Sequence, residues 1–239
     1  MSYAVDELAW PKVGRVLEED PRLIMTVGAL EQHGPHLPVG TNVFIAAQVA
    51  RAVSERCSVL RAPPFFYGVT VSGGPFRAPG LRRKTLHRAV NELIGGWENL
   101  SVRQFHLITA HRYEPHLEAL IMTASGPAHK SVYDLYQIDV SDVLESDPEF
   151  EHAGELETSL MLHLAPDRVN MERAADFLPE SLTLRKYTRR RVPKPPIVSR
   201  GVLGSPRLAT PEKGAAVFQR YVDVLCIAVN TTNSDELLG

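Results

Sequence analysis

Near-continuous apolar runs occupy residues 23–30 (LIMTVGAL), 58–63 (SVLRAP), 104–110 (QFHLITA) and 132–138 (VYDLYQI). Strands covered on both faces read this way, without a clean alternation. Between the runs, apolar residues recur at helical spacing. Residues 42–56 carry Val43, Ala46, Ala47, Val49, Ala50 and Val53; residues 85–100 carry Leu86, Val90, Leu93, Ile94 and Trp97; residues 114–125 carry Leu117, Leu120 and Ile121. A fourth stripe, Leu156, Leu160 and Leu164, follows His152. The last predicted helix runs through Val217, Tyr221, Val224, Leu225 and Ala228. Thr210 caps it, Pro211 fits its first turn and Glu212 suits its positive end. Strand and helix in alternation predict a largely parallel sheet with helices on both faces. Ligands of such sheets bind beyond the carboxyl ends of the strands, so the residues after each strand are the place to look for chemistry.

Composition narrows the class. A chain of 239 residues fits one large domain and can bury its own core. With 44% hydrophobic and 23% charged residues it is neither disordered nor fibrous. No apolar run is long enough to cross a membrane. The balance of 26 basic against 28 acidic residues argues against a general nucleic-acid binder. The first residues, MSYAVDELAW, lack the basic start of a secretory signal. Cys57 and Cys226 are too few for a disulfide framework and read as reduced thiols, so the expected location is cytoplasmic. Residues 185–194 hold six basic residues in ten and read as a solvated loop.

After the first strand comes Glu31-Gln32-His33-Gly34-Pro35-His36. A carboxylate and imidazoles at a strand end can converge on one ion, and this donor mix suits zinc, manganese or iron. The alternative is a polar loop with Glu31 accepting backbone hydrogen bonds. His111 follows the strand at 104–110 at the same end of the sheet. His152 and Glu155 open a helix, three residues apart and on one face. Glu155 is there either a first-turn capping carboxylate or a ligand or proton carrier.

These stretches resemble the creatininase (creatinine amidohydrolase) family. The likeness covers GALEQHGPHLPVGTN at 28–42, the strand ending in His111, HAGELETSLMLHLAPDRVN at 152–170 and GVLGSPRLATPEKGAAVF at 201–218. It implies one creatininase-like domain over residues 1–239, with a three-layer α/β/α fold around a mostly parallel sheet. It further implies divalent metal and hydrolysis of amide-type C–N bonds, and assembly into a homo-oligomer, commonly a hexamer. Residue by residue, Glu31, His33 and His111 match metal ligands. Asn42 falls where relatives carry an Asp that bridges two metals. His152 and Glu155 belong to the site-lining motif.

The departures fall on the site. An amide at Asn42 is a poor bridge between dications, because it brings no charge. Thr109-Ala110-His111-Arg112-Tyr113-Glu114 replaces a glycine-rich motif, and Glu114 lies one residue later than the carboxylate that creatininases proper use for a second metal. The loop 67–85, with VSGGPFRAPGLRRKT, is also different; its Arg77, Arg82, Arg83 and Lys84 could hold an anionic group on a small-molecule substrate. The resulting expectation is a hydrolase of amide, cyclic amide or formamide bonds, in which one tightly held metal activates water and His152 or Glu155 moves the proton. The competing expectation is a metal-depleted member that binds a ligand or runs another reaction on a rebuilt site.

Overall fold

A computed structural model of the protein describes residues 3–70, 78–123, 126–147, 151–178 and 197–231. Four parallel strands form one sheet in the order β2-β1-β3-β4: β1 Arg22–Thr26, β2 Leu60–Arg61, β3 Gln104–Thr109 and β4 His129–Asp134. The helices are α1 Trp10–Glu19, α2 Thr41–Cys57, α3 Arg83–Glu98, α4 Glu114–Ile121, α5 Glu155–Leu164 and α6 Pro211–Thr231. Side-chain alternation along the strands divides the core in two. Ile24 and Ile108 face α2, α5 and α6, whereas Leu23, Met25, Phe105 and Leu107 face α1, α3 and α4. This is the expected α/β/α layering. Among the described residues no helix is long and apolar enough to cross a membrane.

The chain leaves β1 toward β2 and leaves β3 toward β4, although β1 and β3 are neighbours. Their carboxyl ends therefore flank a topological switch point, where the diverging connections leave a crevice. Glu31 and His33 follow β1, and His111 follows β3.

Several boundaries differ from the apolar pattern. The first run extends to residue 30, but β1 stops at Thr26. Beyond it Gly28 donates to the Phe65 carbonyl (3.0 Å). A side chain at Gly28 would meet Val43 Cβ at 2.4 Å, so α2 crosses directly over this point. The last run was expected at 132–138, yet β4 ends at Asp134, whose carboxylate accepts from the amide of Tyr136 (3.1 Å) and turns the chain out of the sheet. The helix expected at 114–125 ends at Ile121. α1 was not anticipated; its buried stripe is only Val13 and Leu17.

Candidate active site and metal centre

The loop after β1 is pinned at both ends. Glu31 donates its amide to the Val39 carbonyl (2.8 Å), and His36 reaches Thr158 Oγ1 through Nε2 (3.0 Å). Burial pushes His36 down to about 4, so this imidazole is neutral and fastens the loop to α5. Between these anchors lies His33, with a fully buried side chain. Its Nδ1–H donates to the backbone carbonyl of Glu31 (2.9 Å), which turns Nε2 inward toward the cluster. Metal-ligating histidines are commonly oriented through their other nitrogen in this way.

Glu31, His33 and His152 place ligand atoms within 4.8 Å of one another. His111 approaches from the end of β3, with Nδ1 3.1 Å from Glu31 Oε2, while its Nε2–H donates to the Val69 carbonyl (2.8 Å). His152 is held by a backbone pair with Leu203, both bonds 2.8 Å. Its Nε2 lies 2.9 Å from both the side-chain nitrogen and the backbone oxygen of Gln32. Gln32 in turn packs against Gly201, at φ +84, where a side chain would strike Gln32 Oε1 at 1.8 Å. The segment at 201–204 thus supports the site although it contributes no acid or imidazole.

The electrostatics favour a cation. Burial alone would lower the His33 pKa, but Glu157 and then Glu31 outweigh it and raise it to about 9. Burial would raise Glu31, yet His111, His152 and His33 together hold it far below the usual carboxylate range. His152 is lowered, chiefly by burial, and is neutral at pH 7. A buried carboxylate, Glu157, and a half-buried one, Glu31, face His33 and His111, and a metal would displace the His33 proton; donor types and charge both fit a first-row divalent metal.

Glu157 is the site residue that the sequence reading passed over. Its Oε1 lies 3.3 Å from His33 Nε2 and accepts from the Tyr136 hydroxyl; its Oε2 accepts from the Ala153 amide (2.6 Å). Glu155, expected beside the metal, is directed elsewhere. Its carboxylate binds Lys213 Nζ (2.5 Å) and the amides of Glu145 (3.0 Å) and Ser146 (2.7 Å). Residues two apart on a helix point about 200° apart, so only one of this pair can face the cluster. Glu151 occupies the same helix start. Burial, with Glu157 adding to it, pushes its carboxyl up to about 8, and it accepts from the Gly154 (3.2 Å) and Glu157 (3.1 Å) amides.

Asn42 lies in the first turn of α2, buried. Its Oδ1 accepts from the Ala29 amide (3.0 Å), so its Nδ2 faces His111 Nδ1 (3.2 Å). The group turned toward the cluster is a donor, which cannot ligate a cation. Glu114 opens α4, exposed. Arg83 lies 3.6 Å from Glu118 of α4 and donates to Met122 Sδ (3.5 Å), and Arg82 is exposed just ahead of α3. The structure therefore does not gather Arg82 and Arg83 into the cluster. Arg77 and the basic run at 185–194 lie outside the described residues.

The Glu155–Lys213 contact is structural and testable. Burial would raise the Glu155 pKa, but Lys213 and the Ser146 and Glu145 amides lower it below 4.5. A lowered folded value means the contribution is complete above the unfolded pKa and lost as pH falls through the folded one. Lys213→Met is expected to cost about 3–5 kcal/mol near pH 7 by leaving a buried charge unpaired. Urea melts should show that gap shrinking below about pH 4.5; a gap that is constant with pH would assign the loss to packing.

Comparison with known proteins places the fold and cluster in context. Residues 6–229 match the family described as Creatininase, creatinine amidohydrolase. The chain belongs to the creatininase family. Within that family, creatinine amidohydrolase of Pseudomonas putida is 30% identical to it over 256 residues, covering 95% of this chain and 96% of that protein. The mycofactocin precursor peptide peptidase of Mycobacterium tuberculosis (strain CDC 1551 / Oshkosh) is 29% identical, covering 92% and 88%. A solved structure described as "Creatininase Mn" superposes with a TM-score of 0.84 at 25% identity, over 97% of this chain and 99% of that one. Both sequence relatives are named as hydrolytic enzymes, and this creatininase-family chain is a hydrolase.

Proposed function

We propose that this protein is a metal-dependent amidohydrolase acting on an amide, cyclic amide or formamide C–N bond of a small molecule. One observation carries the reading: Glu31, His33 and His152 converge to within 4.8 Å at the carboxyl end of the sheet, with the Glu157 carboxylate 3.3 Å from His33 Nε2. The relatives named creatinine amidohydrolase and mycofactocin precursor peptide peptidase support hydrolysis of C–N bonds.

Glu31 and His33 would hold the ion, with His111 Nδ1 as the neighbouring third donor. A divalent cation supplies Lewis acidity toward the carbonyl oxygen at such a site. His152 is neutral at pH 7 and half-buried, so it can accept a proton from water and return it to the leaving nitrogen. The Glu31 carbonyl orients His33 through Nδ1, Glu157 adds negative charge beside its Nε2, and the Val69 carbonyl fixes the His111 tautomer. Location in the cytoplasm and assembly with further copies of the chain belong to the same proposal.

The test separates the roles. Protein purified without chelator should carry about one zinc, manganese or iron per chain, the occupancy expected of a single closed donor set. His33→Ala should lose the metal. His152→Ala should retain it and slow amide hydrolysis about 10²–10⁴-fold, the usual contribution of a general base. A wild-type protein that takes up none of the three metals would overturn the proposal and leave the metal-depleted alternative. Loss of metal from His152→Ala would reassign that residue as a ligand.

A further inference from the structure

A cavity of about 380 Å³ is lined in part by the loop and helix that carry Glu31 and Asn42. Its walls include Pro38 and Gly40 from that loop, but none of Glu31, His33, His111 or His152. The volume falls in the range of small-molecule sites, roughly 300–1,000 Å³.

Its lining is chemically one-sided. Arg51, Arg61 and Arg168 contribute, and no carboxylate does. Arg51 is committed to Glu55 at 2.8 Å. Arg61 and Arg168 form no ion pair among the described residues. The Arg168 guanidinium carbon sits 4.9 Å from the centroid of the Phe44 ring. A guanidinium held over a ring keeps its in-plane N–H donors for a ligand. Phe66 also lines the cavity, and Met161, fully buried, adds apolar surface.

The geometry points to a second ligand site in this cavity, for a small anion with a flat apolar body: an aromatic carboxylate or an aryl phosphate. Guanidinium groups match the oxygen geometry of both anions, while Phe44, Phe66 and Met161 provide contact for the apolar body. Pro38 and Gly40 tie the cavity to the catalytic loop, since Glu31 is hydrogen-bonded to Val39 between them. The site stands whether or not a metal occupies the cluster.

Isothermal titration of the full, metal-loaded chain with phenyl phosphate, benzoate and neutral benzyl alcohol tests it. Either anion should bind once per chain with Kd below about 1 mM, and benzyl alcohol should give no saturable heat. The double variant Arg61→Gln with Arg168→Gln should weaken anion binding at least about tenfold, a loss of about 1.4 kcal/mol. Its circular dichroism and metal content should be unchanged. If the double variant fails to fold, Arg168→Lys serves instead; it keeps the charge but loses the fork, and should bind several-fold more weakly. The proposal is overturned by the absence of saturable anion binding, by equal binding of benzyl alcohol, or by variants that bind like the wild type. The last result would place the anion on the metal cluster.

Discussion

Glu157→Ala is expected to weaken zinc binding by about 10–100-fold, a loss on the scale of a metal-supporting group, because it removes the negative charge beside His33 Nε2. It should also destabilise the metal-free protein by about 3–5 kcal/mol, as expected for one side of a buried charged contact. The carboxylate serves His33 Nε2 at 3.3 Å, the Tyr136 hydroxyl and the Ala153 amide, so its removal strands three buried polar groups together. Glu157→Gln separates the two effects. An amide of the same shape can keep the tyrosine contact but brings no charge, so it should recover much of the stability and little of the metal affinity. Competition with a chromophoric chelator reads the affinity, and denaturant melts in chelator read the stability. Unchanged zinc affinity in both variants would reduce Glu157 to a helix cap.

Asn42→Asp is expected to raise the bound metal from one to two per chain, or to tighten a weak second ion at least about tenfold, equivalent to about 1.4 kcal/mol. The Asn42 Oδ1 is already used by the Ala29 amide at 3.0 Å, and an aspartate would keep that bond. What changes is the atom facing His111 Nδ1, at 3.2 Å in the present side chain. A donor nitrogen becomes a charged oxygen, able to bridge dications about 3.5–4 Å apart. Mass spectrometry under native conditions counts the ions directly. Two fully occupied metals in the unmodified protein, or no change on substitution, would show that this position does not limit occupancy.

The layered fold was legible because strands buried on both faces leave unbroken apolar runs, and the amphipathic helices between them keep a clear period. The run at 23–30 nevertheless overstated β1, because the strand stops at Thr26 and α2 crosses directly over Gly28. Apolar content records burial, not the partner. Glu31, His33 and His111 stood out because polar residues directly after strands have few packing explanations, and His152 because it pairs with a carboxylate at a helix start. Glu157 was not, because choosing it over Glu155 needs the rotational phase of α5. That phase is set by contacts with Lys213 on α6 and His33 on the loop after β1, both distant in sequence. The support from Gly201 to Gln32 was also hidden, since only the folded chain brings those residues together.

The switch point between β1 and β3 has a consequence for synthesis and folding. The contacts that build the cluster join residues far apart: 69 positions separate Asn42 from His111, and 120 separate Gln32 from His152. A nascent chain that has reached only β4 has made neither α5 nor the segment that braces His152. It therefore lacks His152 and the Glu157 carboxylate that faces His33 Nε2. Long-range closure of this kind comes late, after local helices and strand pairs have formed. Assembly of the full cluster is thus confined to completed chains, in which the two halves of the sequence have already found each other.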